Sequence, residues 1–149
     1  MALFDVISED IKKAMIAKDK VALEALRGVK KEFLEAKTAK GASGELADDA
    51  ALKILQKMVK QRKESAQIFT EQNRPELAQN ELAEAAVIEK YLPAKLSDAE
   101  LEAEIKAIIA EVGTKTAQEM GKVMGVATKK LAGKADGKEI SAKVKALLS

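Results

Sequence analysis

The sequence predicts an all-α protein built as two small helical bundles, and three observations lead there. Its 149 residues are 47% hydrophobic and 34% charged, with Ala, Leu, Glu and Lys dominating, a helix-forming composition. Val, Ile and Thr never alternate with polar residues between turn signals, so no strand is predicted. Apolar residues instead recur at three- and four-residue steps along the whole chain.

The first helix is expected over 4–17, where Ile7, Ile11 and Met15 are spaced by four. The second spans 20–40 and gathers Leu23, Leu26, Val29 and Phe33 on one side. Gly41-Ala42-Ser43-Gly44 reads as a loop, the most mobile point of the first half. A third helix begins near Asp48 or Asp49, either of which can cap orphan N–H groups, and continues to Glu71. Asn73-Arg74-Pro75 breaks and restarts the helix, since Pro is tolerated at a first helical position. The fourth helix then runs to Tyr91.

Pro93 disfavours helix at Leu92, and Ser97-Asp98-Ala99-Glu100 restarts one as a capping box. A fifth helix follows over 98–112 and stops at Gly113. The sixth opens with a second capping box, Thr116-Ala117-Gln118-Glu119, and ends before Gly133. The seventh opens with Asp136-Gly137-Lys138-Glu139 and reaches Leu148. A four-helix module over 1–93 and a three-helix module over 94–149 are therefore expected.

Composition removes whole classes of chemistry. The chain has no Cys, no His and no Trp, which leaves no thiol nucleophile, zinc–thiolate site, imidazole base or HExxH metal site. No metal and no cofactor is expected. The four aromatic residues, Phe4, Phe33, Phe69 and Tyr91, are too few for base-stacking platforms. No stretch approaches a membrane span, and MALFDVISEDIKK is acidic where a signal peptide is basic. The expectation is a cytoplasmic protein with no membrane partner.

Some charges fall among apolar residues. Arg62 lies within the arc of Leu52, Leu55, Met58, Val59, Ala66 and Phe69. Lys30 and Lys37, with Arg27 at the edge, fall among Leu23, Leu26, Val29, Phe33 and Leu34. Glu81 and Glu89 fall among Leu77, Leu82, Ala85, Ile88 and Leu92. A buried charge without a partner is costly. Arg62, with Arg27 or Lys30, is therefore expected to meet Glu81 or Glu89 between helices. An ion-pair network fixing register is the simpler outcome, a ligand pocket the other.

Net charge is only +2, from 26 basic and 24 acidic residues, yet its distribution is uneven. Residues 53–63 carry +5 with no acid, and Lys53, Lys57, Lys60 and Lys63 form a stripe opposite the apolar arc. Residues 94–112 sum to −3 and residues 113–149 to +5. Within the latter, Met120, Val123, Met124, Ala127 and Leu131 form an apolar stripe, and Gly121 and Gly125 point elsewhere, beside Lys122 and Lys129. Two interior glycines weaken a helix by ~1 kcal/mol each relative to Ala. Either a neighbouring helix approaches closely there, which spacing alone favours, or a phosphate backbone lies on the smooth face. Gly133-Lys134-Ala135-Asp136-Gly137-Lys138 is a glycine-bracketed turn that could receive an anion, or a plain helical corner.

Five segments, in this order, resemble the YqeY-like family. They are Val59-Lys60-Gln61-Arg62-Lys63-Glu64-Ser65, Arg74-Pro75-Glu76-Leu77-Ala78, Glu89-Lys90-Tyr91-Leu92-Pro93, Met120-Gly121-Lys122-Val123-Met124-Gly125 and Gly133-Lys134-Ala135-Asp136-Gly137-Lys138. The C-terminal part of that family is related to the tail of GatB, the B subunit of glutamyl/aspartyl-tRNA amidotransferase, which helps hold tRNA. The resemblance implies two all-α subdomains and points to Lys122, Lys129, Lys130, Lys134 and Lys138, with Gly121 and Gly125, as RNA-contact candidates. It also implies that carbon–nitrogen ligase activity with glutamine as amido donor can be attached to the chain by homology.

The residues do not support that activity. The six serines are scattered, with no Gly/Ser-rich amidase segment, and no phosphate loop or ordered acid cluster for Mg²⁺ is present. A tail without a catalytic body should bind. The function expected is a non-catalytic accessory protein for tRNA or another structured RNA, dominated by phosphate contacts. The alternative is an adaptor docking on a protein partner in translation or tRNA amidation.

Overall fold

The computed structural model of the chain describes residues 2–39, 41, 44–113 and 116–148. Among them are seven α-helices, one 3-10 turn and no strand. The helices are α1 (Leu3–Ala17), α2 (Lys20–Thr38), α3 (Asp48–Glu71), α4 (Pro75–Glu89), α5 (Asp98–Val112), α6 (Met120–Lys130) and α7 (Gly137–Leu148). The 3-10 turn is Ala117–Glu119. The chain divides into two compact units, Met1–Leu92 and Pro93–Ser149.

In the first unit α3 runs along α4, α1 along α2, and α2 also meets α3 and α4. Phe33 is fully buried at the centre, with Ile7, Val29, Leu55 and Ile88 around it. Two left-handed residues make the sharp reversals: Lys18 between α1 and α2, and Asn73 between α3 and α4. Asn tolerates that conformation better than most side chains. Asp19 caps α2 by accepting from the Ala22 amide at 3.1 Å.

In the second unit α5, α6 and α7 pack on one another around an aliphatic core that includes Ile105, Val123, Ala127, Leu131 and Val144. The capping box before α5 is present: Ser97 Oγ accepts from the Glu100 amide at 3.2 Å, and Glu100 accepts from the Ser97 amide at 3.2 Å. These bonds hold the Glu100 carboxyl below its ordinary range. Lys143–Asp98 at 2.9 Å and Lys95–Glu139 at 3.0 Å tie the start of α5 to α7.

Several element ends differ from expectation for identifiable reasons. α2 stops at Thr38, where the Thr38 hydroxyl bonds the Leu34 carbonyl at 2.9 Å and Ala39 turns extended. Lys40, Ala42 and Ser43, on which the longer helix and its loop were placed, lie outside the described residues. Neither Asp48 nor Asp49 caps α3. Both sit in its first turn behind Ala47, and Asp48 accepts from the Leu3 amide at 3.4 Å instead. α4 ends at Glu89 because Tyr91 and Leu92 bond three residues back, tightening the last turn before Pro93. The second capping box is replaced by the 3-10 turn, closed by the Glu119 amide on the Thr116 carbonyl at 3.1 Å.

The inward face of α4 also differs. Ala85 and Ile88 are buried as the pattern predicts, but Leu77 and Leu82 stand 38% and 49% exposed, and Ala78 and Glu84 are buried in their place. α4 serves two neighbours, α3 and α2. Small Ala residues let the helices approach closely there, at positions where large Leu side chains would hold them apart.

Candidate functional site

The candidate surface is built on α6. Its inward stripe is Val123 and Ala127, both fully buried, with Met120 and Met124 packed beside them. This fixes the opposite face by helical geometry. Gly121, Gly125 and Lys129 fall on one line of it at four-residue steps, with Lys122 alongside, and all four are exposed. A Cβ placed on Gly121 or Gly125 would meet nothing within 4 Å. The expected close helix packing on these glycines is therefore corrected: no neighbouring helix lies on them among the described residues. The strip is bare helix backbone open to solvent.

The lysines of this unit are not equivalent. Lys130 is held by Glu111 of α5 at 2.6 Å, and Lys122 leans toward Glu119 at 3.9 Å. Lys129, Lys134 and Lys138 are exposed and form no ion pair among the described residues. At the corner before α7, Gly133 adopts a φ of +77°, the left-handed turn that suits glycine. The Lys134 carbonyl accepts from the Leu96 amide at 2.9 Å. Asp136 Oδ1 accepts from the Lys138 amide at 3.3 Å. Of the two readings left open for this corner, an anion site or a plain helical corner, the geometry favours the second, since its helix start already holds a carboxylate.

In the first unit, Arg62 donates to Glu84 at 2.8 Å and to Glu81 at 3.4 Å. The side chains are 20%, 10% and 23% exposed, in that order. Asn80 adds a hydrogen bond to Glu84 at 3.5 Å. Arg62 Nη2 lies 3.6 Å from where a Cβ on Gly28 would stand, so α2 borders the cluster. Two carboxylates share one guanidinium here, which joins α3 to α4.

The other charged candidates go elsewhere. Glu89 pairs with Lys63 at 2.7 Å rather than with Arg62. Arg27 is exposed. Lys30 and Lys37 face the Phe4 ring, at 5.9 and 4.1 Å from its centroid, so cation–π contact with α1 explains their place in the apolar pattern. Lys53, Lys57 and Lys60 stand exposed on α3. Like charges at such steps weaken a helix by about 0.2–0.5 kcal/mol per pair.

Glu84 was not anticipated, although it lies three residues beyond Glu81 and next to Ala85. Tracking the Ala78–Ala85 stripe rather than the leucines would have found it. The bond from the Tyr91 hydroxyl to Asp10, 2.5 Å long, was also missed. It ties the end of α4 to α1 across 81 residues of chain, a separation that periodicity cannot see. Burial, with Asp10 adding a hydrogen bond and negative charge, pushes the Tyr91 hydroxyl well above its usual range.

The family model for Yqey-like protein matches residues 4–148. Among known proteins, the chain is 34% identical over 113 residues to Altered inheritance of mitochondria protein 41, mitochondrial, of Clavispora lusitaniae, covering 74% of this chain and 65% of that protein. The namesake from Meyerozyma guilliermondii is 34% identical over 131 residues, covering 84% and 66%. That of Saccharomyces cerevisiae is 29% identical over 143 residues, covering 93% and 73%. The chain spans just under two thirds of the length of the first two. These names overturn the cytoplasmic expectation, since each of these relatives is named as mitochondrial. That expectation rested on a missing apolar span and a missing basic leader, and neither tells one aqueous compartment from another.

Proposed function

The chain belongs to the YqeY-like family, and on that premise we propose that it is a non-catalytic accessory protein that binds tRNA or another structured RNA. The observation that carries this is the open glycine strip of α6, flanked by Lys122 and Lys129. Two helix-weakening residues that no neighbour covers leave a smooth face where a sugar–phosphate backbone can approach closely. Lys129, Lys134 and Lys138 supply positive charge that no carboxylate of the described residues takes up. Residues 113–149 carry +5, and the absence of aromatic residues there favours phosphate and shape contacts over base reading. The resemblance to the amidotransferase tail supports the same ligand. The setting drawn from the relatives' names is mitochondrial.

The test is tRNA binding as a function of salt, comparing wild type with Lys122→Glu, Lys129→Glu and Lys134→Glu combined. Affinity should fall sharply with salt and be lost in the triple variant. An affinity that is weak at low salt and indifferent to these changes would refute the reading.

A protein-docking role has one observation in its favour: Leu77 and Leu82 stand exposed on α4, where large apolar side chains suit a partner. A partner captured from lysate that survives nuclease treatment would favour this second reading.

A further inference from the structure

We propose that the outward face of α3 is a second RNA-contact surface, on which Lys53, Lys57 and Lys60 receive consecutive phosphates of one strand. The proposal rests on the RNA reading above for its ligand class, but on different residues in the other unit. Of the five cations between 53 and 63, Arg62 turns inward to Glu81 and Glu84, and Lys63 meets Glu89. Lys53, Lys57 and Lys60 are exposed, and Lys60 already has an interaction within the chain that a phosphate would share or replace. They follow one another at four- and three-residue steps, so they share one line of the helix.

At 1.5 Å per residue that line is about 10.5 Å long. A nucleic-acid strand presents one phosphate per ~3.4 Å of axis, hence about three over the same length. Asp49 and Glu64 bracket the lysines on the same side of the helix, which limits the basic line to this span. Like charges at these steps repel one another along the helix, and a polyanion laid on them reverses that repulsion.

The alternatives fit less well. The apolar stripe of α3, including Leu55, Val59 and Ala66, is buried in the bundle, so the helix has no second face to insert into a lipid surface. The line holds no aromatic residue on which a base could stack. Contact with phosphates, without base reading, is the chemistry the face retains.

The experiment titrates fluorescently labelled bulk tRNA with the full chain between about 50 and 200 mM salt. It compares wild type with Lys53→Gln/Lys57→Gln/Lys60→Gln and, separately, Lys122→Gln/Lys129→Gln/Lys134→Gln. Gln is close to Lys in helix propensity, and far-UV circular dichroism checks that helicity is kept. Losing three phosphate contacts should lower the slope of log affinity against log salt by about 2 to 3, and weaken binding roughly a hundredfold at 100 mM salt. Arg at the same three positions should restore both.

An unchanged slope in the α3 variant, with the α6 variant weakened, overturns this proposal and leaves the α6 reading standing. The reverse pattern supports the proposal and overturns the α6 reading. Failure of the wild type to bind tRNA at low salt overturns both. Binding to phosphatidylserine vesicles that the α3 variant abolishes, in the absence of tRNA binding, would reassign the line to a membrane surface.

Discussion

Arg62→Met removes the only cation bonded to Glu84 among the described residues, and the Glu84 side chain is one of the least exposed polar groups in the first unit. Breaking a buried ion pair from one side costs about 3–5 kcal/mol. Arg62 is one-fifth exposed and Glu81 more so, so water relieves part of the penalty and about 2–3 kcal/mol is expected. For a unit of this size that lowers the thermal midpoint by roughly 10–20 °C. Arg62→Met with Glu84→Met removes both charges and should recover about 2 kcal/mol of the loss. Glu81→Gln, at the longer contact, should cost less than about 1 kcal/mol. The first unit holds all four aromatic residues, so urea unfolding followed by Tyr91 fluorescence reports on it alone. A single-variant loss under about 0.5 kcal/mol, or strict additivity in the double variant, would refute the reasoning.

Other outcomes follow from the same structure. The Tyr91 hydroxyl ionises at a higher pH in the folded than in the unfolded chain, where its value is 10.0. Its contribution to stability is therefore complete below pH 10 and is lost as pH rises beyond it. The tyrosinate absorbance band should emerge late on alkaline titration, and earlier in Asp10→Asn; an ordinary midpoint in wild type would contradict the bond to Asp10. Gly121→Ala and Gly125→Ala, both in open space, should each stabilise the second unit by about 0.5–1 kcal/mol while weakening tRNA binding. A stabilised variant that binds as before would remove the strip from the site. Ser97→Ala should cost about 1 kcal/mol, read as earlier loss of helicity in thermal melts.

The helices were legible because their signals are local. Pro75, Gly113 and the Ser97–Glu100 box mark ends that need no tertiary information, and the structure keeps all three. The ends that moved, at Thr38 and Glu89, are set by bonds within the last turn. α3 starts at Asp48 as expected and loses only the cap, because the Asp48 carboxylate accepts from the Leu3 amide. The apolar face of α4 is only partly legible because Leu and Ala surround much of its circumference, and the bundle buries Ala78 and Ala85 with Ile88 while leaving Leu77 and Leu82 outside. Which helix is its neighbour decides the face, and that is a property of the bundle. The pairing of Arg62 follows the same rule: a misplaced charge announces that a partner is needed, but Glu84 is selected by the approach of α3 to α4. The openness of Gly121 and Gly125 was illegible for a like reason, because spacing cannot distinguish a covered strip from a bare one.

α6 is 11 residues long, below the roughly 12–15 at which a helix persists alone in water. With two glycines in it, its order is lent by α5 and α7 through Val123 and Ala127. Its amides should then exchange with solvent sooner than those of its neighbours. Any ligand that settles on the glycine strip must hold this segment helical, so ordering α6 becomes part of the free energy of binding. Occupancy and local rigidity would rise together, and protection of α6 against hydrogen exchange would serve as a binding isotherm in its own right.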